Sequence, residues 1–99
     1  MAAQKLIAVK EFCIHHNIGR EFIINLHNNE LIELVTVKRT LYIPETGLQL
    51  LEKIIRMHNE LQINIEGIQT ILQLLSSIDK KEKELTSLRN QLSFYISDN

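Results

Sequence analysis

The sequence predicts a mainly α-helical chain: a helix-turn-helix, a small β-hairpin wing behind it, and a C-terminal dimerising coiled-coil helix. Three observations predict it. Two short helical faces are separated by Asn17-Ile18-Gly19, a β-branched run follows them, and a seven-residue apolar repeat occupies the last third of the chain. Three Gly, one Pro and five aromatics in 99 residues also suit helices.

The first helix spans Val9 to His16, with Val9, Phe12, Cys13 and His16 on one face. The second runs from Arg20 to His27, with Phe22, Ile23 and Leu26 inward and Asn28-Asn29 as a left-handed stop. Leu31 to Val37 reads as a strand and Thr40 to Ile43 as its hairpin partner, with Lys38-Arg39 at the tip. The tip lacks the Asn-Gly type of signal, which leaves the register open. Pro44 is placed to open a helix at its first position, where a missing N–H costs little. That helix, Glu45 to about Leu61, carries Leu48, Leu51, Ile54, Ile55 and His58 on one broad face. Asn64 is a candidate cap for the next, which carries Ile68, Ile71, Leu72 and Leu75.

The heptad repeat has one set at Ile71, Ile78, Leu85 and Leu92 and a second at Leu74, Lys81, Leu88 and Tyr95. The charged run Asp79 to Glu84 is either a solvated turn of one helix or a break capped by Asp79. This divides a single domain into a body over 1–76 and a coiled-coil helix over 77–99. A side chain such as Leu85 contributes about 1.5–3 kcal/mol when fully buried, and a second copy of the helix would supply the cover. Ile78, Leu85, Leu88, Leu92 and Tyr95 are the expected dimerisation residues. A monomer of this size buries only about 60% of its extended-chain surface, another reason to expect a partner subunit.

Eleven Lys+Arg against twelve Asp+Glu give a net charge of -1, which argues against binding nucleic acid by bulk charge. The lone Cys13 excludes a disulfide framework and fits a reducing compartment. Leu6 to Val9 is too short for the apolar stretch of a signal peptide or for a membrane span, so a cytoplasmic location is expected. Cys13, His15 and His16 are too few for a closed zinc site, and Cys13 reads as a small core residue. His27 reads as a helix-end cation and His58 as a core-edge residue. No phosphate loop or catalytic motif is present, so neither an enzyme nor a cofactor or metal is expected.

Glu11-Phe12-Cys13-Ile14-His15, Ile18-Gly19, Arg56-Met57-His58-Asn59-Glu60-Leu61, Gly67-Ile68 and Leu88-Arg89-Asn90-Gln91-Leu92-Ser93 occur in an order and spacing that resemble one family over most of the chain. That family is the CbpM-type chaperone modulators, within the MerR-like winged helix-turn-helix class. The resemblance implies a non-enzymatic protein that binds the J-domain of a CbpA/DnaJ-type co-chaperone and inhibits its action with DnaK. DNA-reading MerR proteins carry a Leu-Arg-Tyr-Tyr pattern on the second helix, where this chain has Ile23-Ile24-Asn25-Leu26. Their wing arginine falls on Leu41, with Ile43 in place of the tyrosine. The alternative implied by the class is a transcriptional regulator that binds DNA as a homodimer.

The first 43 residues carry five Lys/Arg against four Glu, a net charge of only +1. Arg20, Lys38 and Arg39 remain as candidate phosphate contacts, and phosphate contacts position a protein without reading sequence. Any nucleic-acid binding is therefore expected to be weak. The expected partner surface is Ile24 with Glu21 and Asn28 around it, an apolar spot in a polar rim. Glu11, Glu30 and Glu33 join it as possible pairs for the basic helix that the resemblance implies on a J-domain.

Overall fold

The structure, a computed structural model, describes residues 4–97. Met1–Ala3 and residues 98–99, which belong to the expected body and coiled-coil spans, lie outside them. In chain order the elements are β1 (Leu6–Ala8), α1 (Val9–His16), α2 (Arg20–Asn28), β2 (Val35–Val37), β3 (Thr40–Pro44), α3 (Leu48–Glu60) and α4 (Ile65–Ser97). They fall into two compact units, Met1–Ile65 and Glu66–Asn99.

The helix-turn-helix of the first unit forms as the spacing predicts, except that His16 and Phe22, expected on the inward faces, are half-buried at their margins. Val9, Phe12 and Cys13 are the buried face of α1, and Ile23 and Leu26 that of α2. Both helices end in a left-handed residue that frees the chain to turn. At α1 this is Asn17, φ 53°, with Ile18 N–H donating to the Cys13 carbonyl at 3.0 Å. At α2 the expected Asn28-Asn29 stop is corrected by one residue, because Glu30 takes the left-handed position, φ 62°. Leu31 N–H then donates to the Leu26 carbonyl, and Glu30 N–H to that of His27, both at 3.0 Å. Asn29 keeps φ at −92°, and its Nδ2 donates to the Asn25 carbonyl at 2.8 Å. A His imidazole adds a further tie at the ends of α2 and α3. His27 Nδ1 donates to the Ile32 carbonyl at 3.3 Å, and His58 Nδ1 to that of Ile63 at 3.1 Å. Carbonyl oxygens only accept, so both rings carry their proton on Nδ1 in these bonds.

The wing is shorter than Leu31–Val37 suggests, with β2 restricted to Val35–Val37. Two constraints shorten it. Leu31 is still engaged in closing α2, and extending the register from Val35↔Tyr42 toward the chain start brings β2 opposite Pro44, which has no N–H to donate. Pro44 itself ends β3 with extended ψ, 138°, rather than opening a helix. A single 3₁₀ turn, Glu45–Gly47, separates it from α3. A third strand, β1, joins the two-stranded hairpin that the sequence pattern predicts. It pairs antiparallel with β3 (Leu6↔Pro44, Ala8↔Tyr42), giving the sheet order β1-β3-β2.

α3 buries Leu51, Ile54 and Ile55 as its periodicity predicts, and Met57 in addition. Leu48 and His58, expected on that face, are half-buried at its margins. Ile23, Leu26, Ile43, Leu51 and Ile54 are at most 1% exposed and form the centre of the first unit's core. The second unit is α4. It runs unbroken through Asp79–Glu84, so residues 77–97 of the helix expected over 77–99 are the C-terminal part of one longer element. Asp79 does not cap a break. It pairs instead with Lys83 one turn on, at 3.1 Å, an exposed i,i+4 contact worth about 0.3–0.5 kcal/mol.

At the wing tip Val37↔Thr40 is the last cross-strand pair, and Lys38 and Arg39 both hold positive φ, 49° and 66°. This is the two-residue hairpin turn that Asn-Gly makes best, built here from two residues that resist it. Replacing Lys38 with Asn and Arg39 with Gly is expected to stabilise the fold by about 1 kcal/mol, seen as a higher urea midpoint. A lowered midpoint would show that the two side chains contribute more to the fold than their backbone costs.

Candidate functional site

The inward turn of Ile23 and Leu26 decides what α2 offers to solvent. Residues three and four apart share a helix face, so Glu21, Ile24, Asn25 and Asn28 form the opposite stripe. Glu21, Asn25 and Asn28 are exposed, and Ile24 is half-buried among them. Arg20 is the only Lys or Arg of this helix and sits at its first residue, exposed. Lys38 and Arg39 are exposed at the wing tip.

The remaining acidic candidates lie elsewhere on the first unit. Glu30 and Glu33 line an open groove of about 590 Å³ with His27, Leu31, Ile32, Ile43, Pro44 and Leu50. Leu50 is 39% exposed there, and the groove's lining contains no Lys or Arg. Glu11 lines a second groove of about 420 Å³, beside Ile7, Phe12, His15, His16, Leu48 and Glu52. Glu21, Ile24 and Asn28 line neither. The six residues read from the sequence as one partner surface are thus set in three places. The first groove departs from the sequence expectation, because a strand over Leu31–Leu34 turns alternate residues away from one another, whereas β2 begins only at Val35. Its one sequence signal is the apolar pair Leu31-Ile32 held between Glu30 and Glu33.

The Cys13, His15 and His16 cluster is accounted for by packing. Cys13 is buried, and the His16 ring stacks on Phe12 with centroids 4.0 Å apart while its Nδ1 donates to the Phe12 carbonyl at 3.2 Å. Among the described residues no group of three or more His, Cys, Asp or Glu is placed to hold a metal. Burial pushes the Cys13 thiol above its ordinary pKa, and the positive charge of Arg20 opposes part of that rise. His58, half-buried, meets Phe22 with ring centroids 4.4 Å apart.

The expected dimerisation residues are all on α4 and all exposed: Ile78, Leu85, Leu88, Leu92 and Tyr95, together with Leu74, Phe94 and Ile96. No helix among the described residues is long and apolar enough to cross a membrane.

A helix-turn-helix, a hairpin wing and a long terminal helix are the parts of one regulatory scaffold, and a family model described as MerR HTH family regulatory protein matches residues 7–90. The chain belongs to that family. Its members are non-catalytic regulators, so this MerR-family chain is not an enzyme. No curated protein and no solved structure matches it.

The buried thiol gives a pH dependence with a definite sign. Its folded pKa is raised, so its contribution to stability is full below the unfolded pKa and is lost as pH rises through the folded one. Stability is therefore expected to fall on the alkaline side, and Cys13→Ala to flatten that fall. An unchanged alkaline slope in the variant would assign the loss to other groups.

Proposed function

We propose that this MerR-family chain regulates by binding protein: as a homodimer it docks on the J-domain of a CbpA/DnaJ-type co-chaperone and blocks its work with DnaK. The observation that carries this reading is the outer stripe of α2, Glu21, Ile24, Asn25 and Asn28. A helix that reads base edges presents Arg, Lys, Asn or Gln to the groove. Of these types the stripe has only Asn25 and Asn28, no Arg or Lys, and a half-buried isoleucine takes its centre. An apolar centre with a polar rim suits a protein surface. The Glu30–Glu33 groove supports the same reading, since it offers apolar walls and two carboxylates to a basic apolar segment.

A second reading is a transcriptional regulator that binds DNA as a homodimer, and family membership by itself favours this one. The exposed cations at the wing tip, with Arg20 at the start of α2, are the phosphate contacts it would use.

The two readings separate in binding experiments. Ile24→Asp is expected to weaken J-domain binding at least about tenfold, because the new carboxylate is buried unpaired on docking. Dimer mass and melting temperature should stay near wild type. Unchanged affinity would move the interface off α2, and loss of folding would reassign Ile24 to the core.

For DNA, binding to random duplex is expected to be weak and to drop steeply with salt. A single site held at nanomolar affinity at about 0.15 M ionic strength, far above random duplex, would establish the regulator reading instead.

A further inference from the structure

The groove lined by the end of α2, the end of β3 and the start of α3 is apolar inside and acidic at its edge. Ile43 and Pro44 are buried in it, Leu31 and Ile32 are half-buried, and Leu50 stands exposed. Glu30 and Glu33 bring two exposed carboxylates to a lining without Lys or Arg. We propose that this groove is a second protein-docking surface, whose occupant is a segment of a partner protein carrying a large apolar side chain next to Lys or Arg. This surface is separate from the docking on α2 and goes beyond it, since Glu21, Ile24 and Asn28 line no part of the groove.

Charge decides what the occupant must carry. A cation brought to Glu30 and Glu33 meets no competing cation in the lining, whereas an acidic segment is repelled. His27 favours the same choice. Its Nδ1 proton is committed to the Ile32 carbonyl at 3.3 Å, so Nε2 of the neutral ring is left to accept a hydrogen bond. The charge changes sign across Leu50, which also borders a depression where Lys53 and Arg56 outnumber Glu52. The occupant's apolar side chain therefore belongs against Leu50 and Pro44, and its Lys or Arg at the Glu30–Glu33 end.

The shape selects a chain segment over a small molecule. Small-ligand sites enclose most of their ligand, and this groove of about 590 Å³ is open. A protein segment gains affinity from such a surface through one apolar anchor with polar contacts around it. One wall is in place beforehand. Leu31 N–H donates to the Leu26 carbonyl at 3.0 Å and the His27 ring holds Ile32, so binding has little of that wall to order.

The test uses the full chain and peptides as probes. Random dodecapeptides displayed on phage are selected on it, and the enriched peptides are synthesised and titrated by fluorescence anisotropy. They should combine a large apolar residue with neighbouring Lys or Arg. Glu30→Gln together with Glu33→Gln is expected to weaken them at least about tenfold, with slower association and a flattened salt dependence. Leu50→Ser should cost a similar factor through faster dissociation. Thr46→Arg sets a competing cation in the groove while leaving Leu50 and the acidic pair in place, and should weaken the same peptides as much. All four positions are exposed, so melting temperatures should stay near wild type. Peptides that are acidic, that bind these variants as well as wild type, or that fail to enrich at all would overturn the proposal. Loss of peptide binding in Ile24→Asp would place the peptides on α2 and overturn it too. The probes contain no J-domain, so failure here leaves the reading of α2 standing, and a J-domain that does not bind leaves the groove's peptides in place.

Discussion

Everything the first unit displays follows from the complete burial of Ile23 and Leu26 on α2. Those two side chains fix the rotation of the helix about its axis, and the 3.6-residue period then leaves no choice about which residues face out. Leu51 and Ile54 of α3 and Ile43 of β3 complete the same core, so the wing and α2 are held by one apolar cluster. Substituting any of these five by alanine would leave a cavity costing about 2–5 kcal/mol, a large fraction of what a domain this size has. The charges of the unit have little part in this. Among the described residues all of them lie outside the core, and no buried polar side chain needs a partner.

This division of labour explains what the sequence discloses. Helical faces depend on neighbours three and four positions away, so α1, the inner face of α2 and the middle of α3 can be read from a short window. Strand pairing joins distant segments. Leu6–Ala8 is a plain apolar tripeptide until Pro44, Ile43 and Tyr42 are brought beside it. The boundaries at Glu30 and Pro44 were hard for a related reason. Asparagine is the usual occupant of a left-handed turn, but here Glu30 takes that place and Asn29 braces the helix end. Proline suits a helix start, yet here its missing N–H serves as the end of a ladder.

The candidate site was legible in part for the same physical reasons. The outer stripe of α2 follows from periodicity alone, and so did the apolar seam of α4. The groove that gathers Glu30, Glu33 and Leu50 did not, because it is made by a loop, a strand end and the start of α3. Charge totals pointed away from a strongly basic surface, and the first unit shows where the few cations went. Three of them, Arg20, Lys38 and Arg39, occupy a helix start and a hairpin tip, positions where a long polar side chain stays in water.

The place of β3 in the sheet has a mechanical consequence. It is the middle strand, bonded to β2 on one edge and to β1 on the other. β1 runs into α1 without a linker, Ala8 being followed at once by the first helical residue. The wing is therefore no free-swinging arm. A load applied at its tip passes through β3 into β1 and arrives at the root of the first helix. Any molecule that grips the wing also tugs on α1, so docking at one end of this small unit is felt as tension at the other.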